Sequence, residues 1–71
     1  MTHVAKVVEI IGSSSTSWED AAQNAIYEAI KTVRGVRGIE IIKKTATVNP
    51  DDGKIAEYRS TVKIAFAVEH T

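Results

Sequence analysis

The sequence predicts an α+β domain of order β-α-β-β, with one helix on a three-stranded antiparallel sheet of strand order 1-3-2. Three observations carry this. Apolar residues recur at spacings of three and four only once, from Trp18 to Val33. β-Branched segments flank that stripe on both sides, and Asn49-Pro50-Asp51-Asp52-Gly53 separates the last two as a hairpin turn. A right-handed crossover from the first strand to the second leaves room for the third between them.

Val4 to Ile11 is β-branched, short and closed by Gly12, which reads as the first strand. Its alternating sets, Val4-Lys6-Val8-Ile10 and Ala5-Val7-Glu9-Ile11, are both largely apolar. Both faces are therefore expected to meet something other than bulk water, one against the helix and one against a neighbouring subunit.

The polar loop Gly12 to Ser17 admits two readings. Free backbone N–H groups at a helix start can cradle a phosphate. Thr16 with Glu19 also fits a capping box, and Ser17 with Asp20 offers the same in the next register. The acidic pair uses the dipole field that an anion would need, so the cap is the stronger reading.

The stripe Trp18, Ala22, Ala25, Ile26, Ala29, Ile30 and Val33 predicts a helix ending near Arg34, with Gly35-Val36 as its left-handed cap. Its alanines let the helix lie close to the sheet, and Trp18 is expected to be a large core anchor. Gly38 then opens a second strand, Ile39 to Val48. In the turn, Pro50 suits the second position and Gly53 a left-handed one. Its Asn and two Asp lack the calcium-loop ligand series, which favours a solvated turn. From Lys54 to Glu69, Ala56, Tyr58, Val62, Ile64, Phe66 and Val68 share one face, with Ser60 the exception. Glu57, Arg59, Thr61 and Lys63 share the other. So long a strand is expected to bend and to pair in part with another chain.

Seventy-one residues make a single domain, 1–71, which buries only about 60% of its unfolded surface. No Cys is present, and His3 and His70 lie near opposite ends without partners at zinc-ligand spacing. Self-association is the remaining source of stability. Nine basic and nine acidic residues give zero net charge, so no footprint for nucleic acid or an anionic membrane is visible. The start, Met1 to Lys6, lacks a signal-peptide apolar core, and no run reaches the roughly 18 apolar residues of a membrane span. A cytoplasmic protein is expected.

No nucleophile, base and orienting group can be assembled, and no carboxylate pair has a reason to split its pKa values, so an enzyme is not expected. Tyr58 and Phe66 lie on the presumed core face, which leaves no stacking platform for RNA. A binding, storage or structural assembly remains.

The first strand's Ile-Ile-Gly-Ser-Ser, the helix start Ser-Trp-Glu-Asp-Ala-Ala, Thr32-Val33-Arg34, and Tyr58 to Phe66 together resemble the dodecin family across nearly the whole chain. The resemblance implies a hollow homododecamer with helices outside and curved sheets facing inward. It also implies a flavin site in which a tryptophan after the helix stacks on the ring and a last-strand glutamine bonds its edge. Gly38 stands at the tryptophan position and Arg59 at the glutamine position, with Arg37 beside Gly38 as a third candidate. Gly38 forfeits the stacking, and Arg59 offers donors but no acceptor. Ser-Trp-Glu and the longer hairpin resemble the calcium dodecin branch instead. That branch supplies no ligand motif to carry over, so the metal ligands are unknown, while Glu9, Glu40 and Glu57 read as ion-pair partners between subunits.

The expectation is therefore a non-catalytic assembly that binds, stores or buffers a small ligand or cation without the stacked flavin pair. Weakened flavin binding through Arg59 and a structural assembly without ligand are the alternatives.

Overall fold

In the computed structural model, residues 3–69 are described, with the backbone alone at His3 and Glu69. Met1, Thr2 and His70, used above in reading a leader and a zinc site, lie outside the described residues. The elements are β1 (His3–Ser14), α1 (Trp18–Ala29), β2 (Val36–Val48) and β3 (Ile55–Glu69). The sheet is antiparallel with order β1-β3-β2, as the crossover rule requires.

The alternation of β3 sets the layers. Val62 and Ile64 are fully buried beneath the helix alanines Ala22, Ala25 and Ala29, with Val8, Ile10 and Val36 packed around them. Ser60, the polar residue in that row, is buried as well, and its hydroxyl donates to the Trp18 carbonyl at 2.8 Å. Its polarity thereby fastens the first helical turn to the central strand.

Small residues hold the two layers close. A Cβ added to Gly12 would collide with the Ala21 carbonyl oxygen and come within 3.0 Å of the Ala25 Cβ. Ala21, absent from the predicted stripe, is completely buried by this approach.

Ser17 is the N-cap, its side chain accepting from the Asp20 N–H at 2.9 Å, so the second of the two predicted registers is the one formed. The helix ends at Ala29 with Ile30 as C-cap, earlier than the expected Arg34. The chain leaves through a turn in which the Val33 and Thr32 amides both bond the Ala29 carbonyl. Gly35 does adopt a left-handed φ of 75°, but it lies beyond the helix and serves strand entry, its carbonyl accepting from Ala67 N–H at 3.0 Å. Strand β2 accordingly starts at Val36, and Gly38 lies within it.

Trp18 is half-buried and stands at the margin of the core. Its Nε1–H donates to the Thr45 carbonyl at 2.8 Å, and its ring meets Tyr58 edge-on at 4.8 Å between centroids. The expected core anchor is instead a bracket from the helix start to the hairpin. In the turn, Gly53 takes the predicted left-handed φ of 72°, and Asn49 and Asp52 accept from the amides of Asp51 and Lys54.

β3 pairs with β1 from Tyr58 to Glu69 and with β2 from Ile55 to Phe66, so each of its two ends keeps one unpaired side. The outer edges of the sheet belong to β1 and β2. The helix packs on β1 and β3, leaving Ile39 and Ile41 of β2 partly exposed on the helix side. Val7 and Ile11 are 56% and 67% exposed on the opposite face of β1. The chain extends 57 × 20 × 13 Å and exposes 5231 Å², against about 4300 Å² for a compact chain of this mass. A single copy thus leaves apolar surface unburied on both sides of its sheet.

Two substitutions test this packing. Gly12→Ala is expected to destabilise by about 1–3 kcal/mol, because the helix must lift off the sheet. Urea denaturation at fixed protein concentration measures it, and an unchanged midpoint would mean the layers are not in contact there. Trp18→Phe keeps an aromatic ring against Tyr58 but removes the bond to Thr45. A loss of about 1 kcal/mol is expected in the same assay.

Candidate functional site

The face of the sheet away from the helix gathers the candidate residues. Val62 and Ile64 point to the helix, so Arg59, Lys63 and Ala65 point the other way. Gly38 pairs with Ala65 from one side and Val7 pairs with it from the other. Val7, Gly38, Glu40, Lys63 and Ala65 line an open hollow of about 290 Å³. A side chain at Gly38 would meet nothing within 4 Å, so glycine itself leaves the space vacant in a single copy.

Arg59 lies on the same face, opposite Ser13 and Thr45. Six residues of β3 separate it from Ala65, which places it roughly 20 Å along the strand from Gly38. Its Nε donates to Glu57 Oε1 at 2.8 Å. One chain therefore does not bring Gly38 and Arg59 to a common small ligand.

Arg37 is the extra residue of a bulge. Val36 pairs with Phe66 and Gly38 with Ala65, so β2 advances two residues where β3 advances one. Arg37 lines two further hollows, one with Arg34, Gly35 and Ala67 and one with Val4, Ala5, Phe66 and their neighbours.

The Gly/Ser loop is closed to a phosphate by its own side chains. Ser14 Oγ accepts from Thr16 N–H at 2.9 Å and donates to Asp20 Oδ2 at 2.6 Å, while Ser17 Oγ takes the Asp20 N–H. The Asp20 carboxylate and two hydroxyls occupy the place that an anion would take. This favours the cap over the cradle.

Among the described residues no three His, Cys, Asp or Glu side chains gather where they could hold a metal ion. Glu9 and Glu40 stand directly opposite Lys63 on its two sides, yet the ion pairs formed are Lys31–Glu28, Lys44–Glu19 and Arg59–Glu57. Glu57 is paired with Arg59 within its own chain. No described helix is long and apolar enough to cross a membrane.

Sequence reasoning missed Val7, Lys63 and Ala65 as companions of Gly38. Their grouping follows from the β1-β3-β2 register, which is readable only once the bulge at Arg37 is known.

Comparison with known proteins agrees with this architecture. The sequence matches the Dodecin family over residues 4–69. It is 40% identical over 63 residues to calcium dodecin of Mycobacterium tuberculosis, covering 89% of this chain and 86% of that one. It is 31% identical to the dodecin of Thermus thermophilus over the full length of both. A crystal structure of a Thermus thermophilus protein, tt0972, superposes with a TM-score of 0.90 at 30% identity, covering 99% of this chain and all of that one. The structure of Mycobacterium tuberculosis calcium dodecin, described as having a novel calcium-binding site, superposes with a TM-score of 0.77 at 37% identity, covering 96% and 94%. With a family match spanning nearly every described residue and the same fold in its relatives, this chain belongs to the dodecin family.

Proposed function

We propose that this protein is a non-catalytic, cytoplasmic dodecin whose copies close into a hollow dodecamer and bind a small ligand or ion on the inward sheet face, without a stacked flavin pair. The observation that carries this reading is the vacant hollow at Gly38 on the one face the helix leaves open. Assembly is supported by the apolar residues left exposed on both sides of the sheet and by the outer edges of β1 and β2.

Loss of the flavin pair is supported by the chemistry at both positions. Gly38 supplies no ring, and Arg59 is engaged with Glu57 and roughly 20 Å away within a protomer. Any flavin touching both would have to lie between two copies. The likeness to calcium dodecin favours a second reading, a bound divalent cation. No single described chain gathers three ligating side chains, so that site would draw carboxylates such as Glu9 and Glu40 from more than one copy.

Native mass spectrometry of the protein from its own host is expected to show twelve copies with a retained small ligand or metal. A monomer would overturn the reading. Riboflavin titration is expected to give no sub-micromolar quenching with the unaltered protein. Gly38→Trp should improve flavin affinity about two- to tenfold through stacking. Tight quenching without the substitution would show that the flavin site is intact.

A further inference from the structure

The hairpin of β2 and β3 reaches past the rest of the sheet. β1 stops at Ser14, opposite Tyr58, so beyond that point β2 and β3 have only each other within the chain, as far as the Val48–Ile55 pair. A two-stranded ribbon is marginal on its own, and this arm leans on its closing turn. Asn49 N–H donates to the Lys54 carbonyl at 2.8 Å and Gly53 N–H to the Asn49 carbonyl at 2.8 Å. The side-chain oxygens of Asn49 and Asp52 accept from the amides of Asp51 and Lys54, each at 2.9 Å.

The Asp52 bond brings two reactive groups together. With Oδ1 on the amide two residues ahead, the Asp52 carboxyl is folded over the peptide that joins it to Gly53, on the side of the Gly53 nitrogen. Cγ, Cβ, Cα and C of Asp52 with that nitrogen are the five atoms of a cyclic imide. Gly53 puts no side chain in the way, and open space surrounds the place where its Cβ would be. Every residue from 49 to 56 is exposed, so water reaches the turn.

Other aspartates are placed differently. Asp51 is followed by Asp52, whose side chain crowds the same approach. Asp20 has its carboxylate bound by the Ser14 hydroxyl, and the next amide, on fully buried Ala21, is held by the Ser17 carbonyl at 3.0 Å. The bond on Gly53 N–H closes an exposed turn and opens more readily than one in a helix backed by a sheet.

We infer that Asp52–Gly53 is a site of self-modification, at which aspartate becomes isoaspartate through the cyclic imide. The Gly53 nitrogen bonds to Asp52 Cγ, and the amide hydrogen and the carboxyl hydroxyl leave as water. Water then adds back. Addition at the Asp52 backbone carbonyl breaks its bond to Gly53 and leaves the chain running through Cβ and Cγ, with a free α-carboxylate. Addition at Cγ restores aspartate. Nothing is oxidised or reduced, and mass and charge are unchanged. The isomer adds one carbon to the backbone of the turn and makes the acceptor of Lys54 N–H a backbone carbonyl, so the arm loosens at its end.

The test ages the intact protein at physiological temperature over weeks and digests it with trypsin, against a fresh sample treated alike. Cleavage after Lys44 and Lys54 releases peptide 45–54, in which isoaspartate separates by chromatography and is located by electron-transfer fragmentation. Isomer should build up at Asp52 at least tenfold faster than at Asp51 or Asp20, and at no less than a tenth of the rate in the free peptide 45–54. Asp52→Asn, which loses ammonia in place of water, should react tenfold or more faster. Asp52→Glu keeps the charge but needs a larger ring, and should not react. In the isomerised fraction, amide exchange at Asn49, Gly53 and Lys54 should quicken. No isomer after ageing, an equal share at Asp51, or a rate below a tenth of the peptide's would each overturn the site. Unchanged exchange in the isomerised fraction would overturn the loosening of the arm.

Discussion

The contact between Gly12 and the Ala21 carbonyl governs the thickness of this molecule. Gly12 offers no side chain, so the first turns of the alanine-faced helix come against the backbone of β1, while the same alanines pack on β3. Dense packing around Val62 and Ile64 results. The helix packs on β1 and β3 and leaves β2 largely uncovered. Apolar residues of β2 therefore stay uncovered on the helix side while Val7 and Ile11 stay uncovered on the other. A single copy therefore leaves apolar surface open on both sides of its sheet.

Much of this fold was legible in the residues. Strict alternation in β3 gave its buried face, Ser17 with Asp20 gave the cap, and Gly53 gave the turn. The helix end was not legible, because Ile30 and Val33 continue the helical spacing after the chain has turned away. Spacing records which residues are apolar and says nothing of where hydrogen bonding stops. Ala21 and Trp18 exchanged expected roles for a related reason. Burial at the helix start is decided by the absence of a side chain at Gly12, a feature on another element that no local pattern in the helix reports.

The candidate site divides in the same way. Arg59 was placed by its strand on the face away from the core, and that placement holds, while Gly38 joins it there through its pairing with Ala65. Their separation is a matter of register, and the gathering of Arg34 with Arg37 depends on one bulged residue. The open face carries the opposite charges of Glu40 and Lys63 at one place and the guanidinium groups of Arg34 and Arg37 at the strand entry.

The irregularities of β2 bear on shape as well as on pairing. From Val36 to Val48 the strand advances twelve residues, with extra residues at Arg37 and Ile42, while its partner covers eleven, from Phe66 to Ile55. The β1 side runs residue for residue from His3 to Ser14. One margin of the sheet is thus longer than the other, as the outer lane of a bent track is longer than the inner, and the ribbon has to curl toward its shorter side. Copies of such a ribbon would meet already bowed, because the bulges of β2 bend that margin of the sheet.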